Sequence, residues 1–388
     1  MDMALFVGAL AGILFGLSAA LGLTFTAMLM LIVRPDQSAV GLLWWAAGLA
    51  VVGLCGLPLA YRAGKAALGH DFSVPGHPSR SWAWLAAVFP AAIALGYLAF
   101  QQDVLPEVLG PLAQILAAGI PVGLVAVVAR RQAPPARPIR IWGQFLSGLW
   151  IAPTAALLVE LILLVPIGFA VALGLLATPA GSETLMPLLQ APAPSAEMIE
   201  PAELLLSQPW ILAVALVYIA VLVPLTEEAL KTVAVWPFLR SSLSEAEAFL
   251  GGVLGGAGYA LFEALFLPQP GSEWAVTMIS RVGTTLMHAF TAGIAARGLV
   301  AAAAQRRPAR FATSYLAACA LHGIWNAVVV GVGVTTLILP EMSNTSLAET
   351  LESLVSSAGV VAVAALSLLA LIGLLWMGRR ARRSSATS

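Results

Sequence analysis

The chain has 388 residues, 60% of them hydrophobic and only 10% charged, with a mean hydropathy of +0.94 and no formal net charge. Soluble domains carry roughly 25% charged residues, so a soluble globular protein is excluded, and nothing in the balance of charge asks for a nucleic-acid partner. Cys55 and Cys319 both lie in apolar runs and read as buried free thiols, not as a disulfide framework or a metal site.

The N-terminal apolar run has no basic region before it and continues to Val33, so it is expected to span the bilayer rather than to be cleaved as a signal peptide. Apolar stretches of about 20 residues, the length that crosses hydrocarbon, then recur at 39–61, 82–100, 106–129, 141–177, 207–239, 249–267, 275–304, 311–339 and 357–377. With the first at 4–33, about ten spans are predicted, and the fold class is an all-α polytopic transmembrane bundle. The fifth, sixth and eighth spans exceed the bilayer and must tilt, kink or project. Pro153 and Pro166 are the expected kinks in the fifth.

Charge in the loops sets the orientation. Arg62, Lys65 and Arg80, then Arg130, Arg131, Arg137 and Arg140, then Arg240, then Arg306, Arg307 and Arg310, and finally Arg379, Arg380, Arg382 and Arg383 all fall on one side of a ten-span bundle. The opposite loops hold Asp103, Glu107, Glu183, Glu197, Glu200, Glu203, Glu341, Glu349 and Glu352, with Arg34 the main exception. Both termini are therefore expected in the cytoplasm. The Pro-, Ala- and Glu-rich stretch 178–206 is expected to be an external loop that divides the chain. Before it lies a five-span accessory bundle (1–177); after it come five further spans (207–377) and a basic tail (378–388).

Deep ionisable residues concentrate after that loop. Glu227, Glu228 and Lys231 lie in PLTEEALKTV, Glu263 in GYALFE, Arg281 and His288 in RVGTTLMH, and His322 and Asn326 in HGIWN. Such groups in hydrocarbon are costly and are found mainly where they are used. At the helical rise, Glu228 lies roughly 18 Å from the cytoplasmic end of its span, Glu263 roughly 21 Å, His288 roughly 24 Å, His322 roughly 16 Å and Asn326 roughly 22 Å. A shared depth points to one buried, hydrated site. Lys231 is i+4 from Glu227 and i+3 from Glu228, so it can neutralise either carboxylate. Adjacent carboxylates cannot both ionise cheaply there, and one so held suits a general base acting on water. His322 and Asn326, also i,i+4, could donate to an oxyanion. Gly251, Gly252, Gly255 and Gly256 would let neighbouring helices close around the site.

Each feature also has a plainer reading. The Glu–Lys pair could be a packing device, each His a satisfied core residue, and Glu263 a simple partner of Arg281. Arg281 could equally be a snorkelling anchor near the external boundary. Glu160 reads as structural, His70 and His77 as solvated, and Trp44, Trp45, Trp82 and Trp376 as interfacial belts.

EEALK, GYALFE, RVGTTLMH and HGIWN, in this order on four consecutive spans, resemble the PrsW family of intramembrane proteases, relatives of the CAAX prenyl endopeptidases and bacteriocin-processing enzymes. The resemblance covers roughly 207–340. It implies hydrolysis of a membrane-anchored protein or peptide by a glutamate-activated water, with no cofactor and no required metal, in a membrane expected to be a bacterial plasma membrane. Glu227 would be the base and Glu228 its essential neighbour. His288 would help position the water, and His322 with Asn326 would stabilise the oxyanion; Glu263 matches a glutamate of this branch. EExxK stands here where the CAAX branch has EExxxR, so prenylated substrates are not implied. The rivals are a zinc peptidase, disfavoured by the lack of HExxH, a proton- or ion-coupled transporter, disfavoured by the lack of repeats, and a catalytically silent relative that binds partners.

Overall fold

The computed structural model describes residues 2–33, 37–70, 80–132, 136–190, 205, 208–239, 243–267, 270–342 and 346–386. His77, Arg34 and most of the 178–206 loop lie outside the described residues. Every regular element among those described is helical. The order is α1 (Asp2–Val33), α2 (Gln37–Leu54), α3 (Leu57–Ala67), α4 (Leu85–Phe100), α5 (Pro106–Gln132), α6 (Pro138–Leu146), α7 (Ala152–Leu176) and α8 (Pro179–Gln190), then α9 (Pro209–Val217), α10 (Val223–Lys231), α11 (Glu245–Phe266), α12 (Trp274–Gln305), α13 (Pro308–Met342) and α14 (Ser346–Ala386). Among the described residues ten stretches are long and apolar enough to cross a membrane, and their limits follow the ten predicted spans. The protein is therefore an integral membrane protein.

Three segments differ from expectation. The start of the predicted external loop is helical, as α8, and α14 carries on through the predicted basic tail to Ala386. The predicted sixth span loses its α-helical form after Lys231 and continues as two 3₁₀ turns, Thr232–Ala234 and Trp236–Phe238. Pro237 lies in the second of these turns, where its missing N–H would have broken an α-helix.

Two π-helical turns interrupt the long spans, at Ser147–Ile151 between α6 and α7 and at Tyr218–Leu222 between α9 and α10. Each precedes a proline, Pro153 or Pro224, whose ring would clash with the carbonyl four residues earlier. Those carbonyls belong to Leu149 and Ala220, inside the two π turns. The widened turn moves them aside, so the helix bulges where the proline would otherwise snap it.

The chain forms two compact units, residues 1–153, 228–318 and 367–388 in the first and 154–227 and 319–366 in the second. In the first unit α11 is the central element, buried along nearly its whole length. Its N-terminus is fixed by a capping box: Ser244 Oγ accepts from the Glu247 N–H, and the Glu247 carboxylate accepts from the Ser244 N–H. Two glycine faces let other helices touch its backbone. On one, a side chain at Gly251 or Gly258 would strike Gln144 or the Phe145 carbonyl of α6, and Gly255 meets Gly148 of the first π turn. On the other, Gly252 and Gly256 lie against the Ala292 and His288 carbonyls of α12.

Helices α1 to α6 share one apolar core with α11 and α12. Within it Trp44 is 1% exposed, tilted against Phe100 and edge-on to Trp274, so it is a core residue and not part of an interfacial belt; Trp45, Trp82 and Trp376 are exposed. Trp274 Nε1 donates to Gln114 Oε1 at 2.7 Å, and Gln114 Nε2 donates in turn to the Ala264 carbonyl. That chain satisfies every polar atom of a buried amide at the base of α11.

In the second unit, α13 lies on the π turn of the sixth span. Gly323 meets the Ala220 carbonyl without room for a side chain, and Cys319 Sγ lies 3.7 Å from the Pro224 carbonyl. Tyr218 donates its hydroxyl proton to the Glu160 carbonyl at 3.0 Å. Cys55 and Cys319 are both free thiols, and Cys319 is buried.

Glycine contact predicts a graded response to added methyl groups. Gly256→Ala forces a methyl group against the His288 carbonyl and should destabilise by about 1–3 kcal/mol. Gly123, with open space around it, should accept alanine at no cost or gain up to about 1 kcal/mol. Unfolding curves of both variants in detergent would check this, and equal midpoints would refute it.

Candidate active site

In the first unit, α10 contributes Glu228 and Lys231, α11 contributes Tyr259 and Glu263, and α12 contributes Arg281, His288 and Thr291. Tyr259 and Glu263 are one helical turn apart, as are His288 and Thr291, so each helix presents one face to the cluster. Glu228, Lys231 and His288 are 0%, 0% and 2% exposed. Burial this complete requires every charge to be matched.

Lys231 supplies the match. Its Nζ donates to Glu228 Oε1 at 2.8 Å and lies 2.7 Å from His288 Nδ1. An ammonium has only donors to offer, so Nδ1 accepts and the ring proton resides on Nε2. Nε2 then donates to Glu263 Oε2 at 2.9 Å, the oxygen that also receives Arg281 Nη1 at 3.0 Å. Thr291 Oγ1 is 3.1 Å from Glu228 Oε1. The Tyr259 ring covers the ammonium at 4.4 Å and tilts against the His288 ring at 5.3 Å. Two carboxylates and two cations are thus joined through one neutral imidazole.

The second unit holds Glu227, His322 and Asn326. Glu227 Oε2 and His322 Nε2 face each other at 3.8 Å, with the residues 5% and 2% exposed. That is an ion-pair approach but too long for a direct hydrogen bond. Asn326 Nδ2 donates to the Ile219 carbonyl at 3.0 Å, inside the second π turn. The bulge that Pro224 imposes is therefore held by HGIWN at two points, by the glycine through close approach and by the asparagine through its amide.

Every predicted site residue is buried or half-buried and polar-paired within its unit. Sequence spacing allowed Lys231 to reach either glutamate; the ion pair forms with Glu228. Arg281 is bound to Glu263 and is not a snorkelling anchor. Thr291 and Tyr259 escaped the sequence reading because hydroxyl and aromatic residues are unremarkable in membrane helices. Their helical spacing from His288 and Glu263 was the available signal.

Removing one partner of a buried pair strands the other. Lys231→Met should therefore destabilise the protein by about 3–5 kcal/mol. Lys231→Met combined with Glu228→Gln should recover part of that loss. Detergent unfolding of the single and double variants tests the coupling, and simple additivity would argue against it.

Residues 137–348, more than half of the chain, match the PrsW-protease family, described as PrsW family intramembrane metalloprotease. The match includes all four polar motifs and reaches upstream through α6 and α7, beyond the 207–340 stretch that carries the motif resemblance. No curated protein and no solved structure matches the chain. A family match of this extent, on a chain whose described residues include ten apolar stretches of spanning length, means that the protein belongs to the PrsW family of intramembrane proteases.

Proposed function

We propose that the protein hydrolyses a peptide bond of a membrane-anchored protein or peptide with a water activated by Glu227. The observation that carries this reading is the division of labour between adjacent glutamates. Glu228 is committed to Lys231 and Thr291, while Glu227 faces His322. A base must be able to take a proton, and a carboxylate pinned by an ammonium is poorly suited to that.

In this scheme Glu227 takes a proton from water as the water oxygen bonds to the scissile carbonyl carbon. Negative charge grows on the carbonyl oxygen, and donors from His322 and Asn326 stabilise it. The C–N bond then breaks, the proton on Glu227 passes to the departing nitrogen, and the carboxylic acid and amine so formed exchange a proton to leave as carboxylate and ammonium. Glu228, Lys231, Glu263 and Arg281 hold His288 in one tautomer, and His288 acts as a positioning residue. The first five spans serve as an accessory bundle and both termini face the cytoplasm. Family membership sets the transporter reading aside, and the intact polar motifs weigh against a silent relative.

The family description includes the word metalloprotease, and within the second unit a metal would find Glu227 and His322 as donors. The fit is poor as the side chains are arranged. A catalytic zinc needs three protein ligands, and the two ring nitrogens of His288 are engaged by Lys231 and Glu263. Metal binding at His288 would have to expel an ammonium or a carboxylate. The arrangement supports Lys231 as the site's resident cation.

Glu227→Gln should lower cleavage by about 10²–10⁴-fold, the usual worth of a general base, with insertion and unfolding unchanged. Comparing membrane proteomes of cells carrying wild type and this variant should reveal a membrane-anchored protein that accumulates uncut. Wild-type turnover by the variant would sink the mechanism. Elemental analysis is expected to find no stoichiometric transition metal; zinc at one per chain that disappears in His322→Ala would establish the metal reading instead.

A further inference from the structure

Away from the catalytic cluster, the first unit has a cavity of about 410 Å³ lined by Glu245, Arg297, Arg310, Ser314, Ile294 and Met377, among others. It lies between the start of α11, the last turns of α12, the first turns of α13 and the C-terminal part of α14. Its polar end is built around one carboxylate. Arg297 Nε donates to Glu245 Oε2 at 2.8 Å, Arg310 Nη1 donates to Glu245 Oε1 at 2.7 Å, and Gln305 Nε2 donates to that same oxygen at 2.9 Å. Its other wall is apolar, formed by Ile294, Ala301, Ala317 and Met377.

The charges do not balance. Two guanidinium groups meet a single carboxylate, and the two forks carry more N–H donors than one carboxylate can accept. Arg306 and Arg307 lie in the adjoining turn and are exposed, which adds to the local positive charge. The side chains of Arg297 and Arg310 are 41% and 47% exposed, so an incoming anion can reach them. Planar guanidinium forks are well matched to phosphate oxygens. A single ion needs only the forks. The apolar wall, at the end of spanning helices, adds a surface for glycerol and the upper acyl chain.

We infer that this cavity binds the phosphate of an anionic phospholipid, with Arg297 and Arg310 as the phosphate ligands and Glu245 as the internal group that occupies them in its absence. Basic pockets between helix ends are suited to such headgroups. Glu245 sets the affinity, because a lipid phosphate must share or displace its contacts to both arginines.

The test uses the full-length protein in detergent, with native mass spectrometry after addition of phosphatidylglycerol or phosphatidylcholine. Wild type should retain phosphatidylglycerol several-fold better than phosphatidylcholine. Arg297→Gln combined with Arg310→Gln should abolish that preference. Glu245→Gln should shift it the other way, raising phosphatidylglycerol retention, an effect that simple misfolding would not produce. A competition arm with glycerol phosphate separates the sources: millimolar competitor should not displace the lipid. Displacement would show a free-phosphate site and overturn the lipid assignment, and equal retention in wild type and both variants would overturn the site.

Discussion

The ammonium of Lys231 is the constraint around which the polar interior is arranged. It is fully buried and must find acceptors within reach. It takes one from its own helix, Glu228, and one from a helix 57 residues further along the chain, His288. Because the ammonium cannot accept, the histidine proton goes to the far nitrogen, and that proton selects Glu263, which in turn holds Arg281. One cation thus fixes a tautomer, two ion pairs and the rotational setting of α10, α11 and α12. The interior tolerates these charges because they sum to neutrality and because each is hydrogen-bonded.

Packing makes that network reachable. Hydrogen bonds near 3 Å between side chains on different helices require backbones closer than large side chains allow. The glycines of α11 provide that approach on two faces, with Gly256 directly against the His288 carbonyl. Close packing of this kind replaces the hydrophobic drive that lipid cannot supply. In the second unit the same principle operates through Gly323, which lies on the widened turn before Pro224. The proline that bulges the sixth span also frees backbone for Asn326 to bind, so helix distortion and polar placement have one cause.

Polar groups of the same kind take different partners through the protein. Glu228 is locked by Lys231 and Thr291, whereas its neighbour Glu227 approaches His322 at a distance beyond direct hydrogen bonding. Glu245 likewise holds Arg297 and Arg310 where they remain partly exposed. Deep in the bundle, locking serves geometry; at the helix ends, partial exposure leaves the groups open to exchange partners. The same residue types therefore serve different ends according to burial.

Much of this was legible in the residue order alone. Ten apolar stretches of spanning length and the polar motifs on four successive spans needed only composition, spacing and the thickness of a bilayer. Those properties are local, so sequence determines them. Spacing could not decide which glutamate Lys231 pairs with, since i+3 and i+4 are both within its reach. The choice depends on where His288 arrives, and only the packing of α12 on α11 sets that. Trp44 shows the same limit: an aromatic residue near a span end reads as interfacial until Phe100 and Trp274, distant in sequence, close over it. The sequence by itself determined the membrane class, the spans and the family; the tertiary structure decided the pairing of charges and the tautomer of His288. The physical reason is that burial makes each polar group depend on partners that only the folded chain brings within 3 Å.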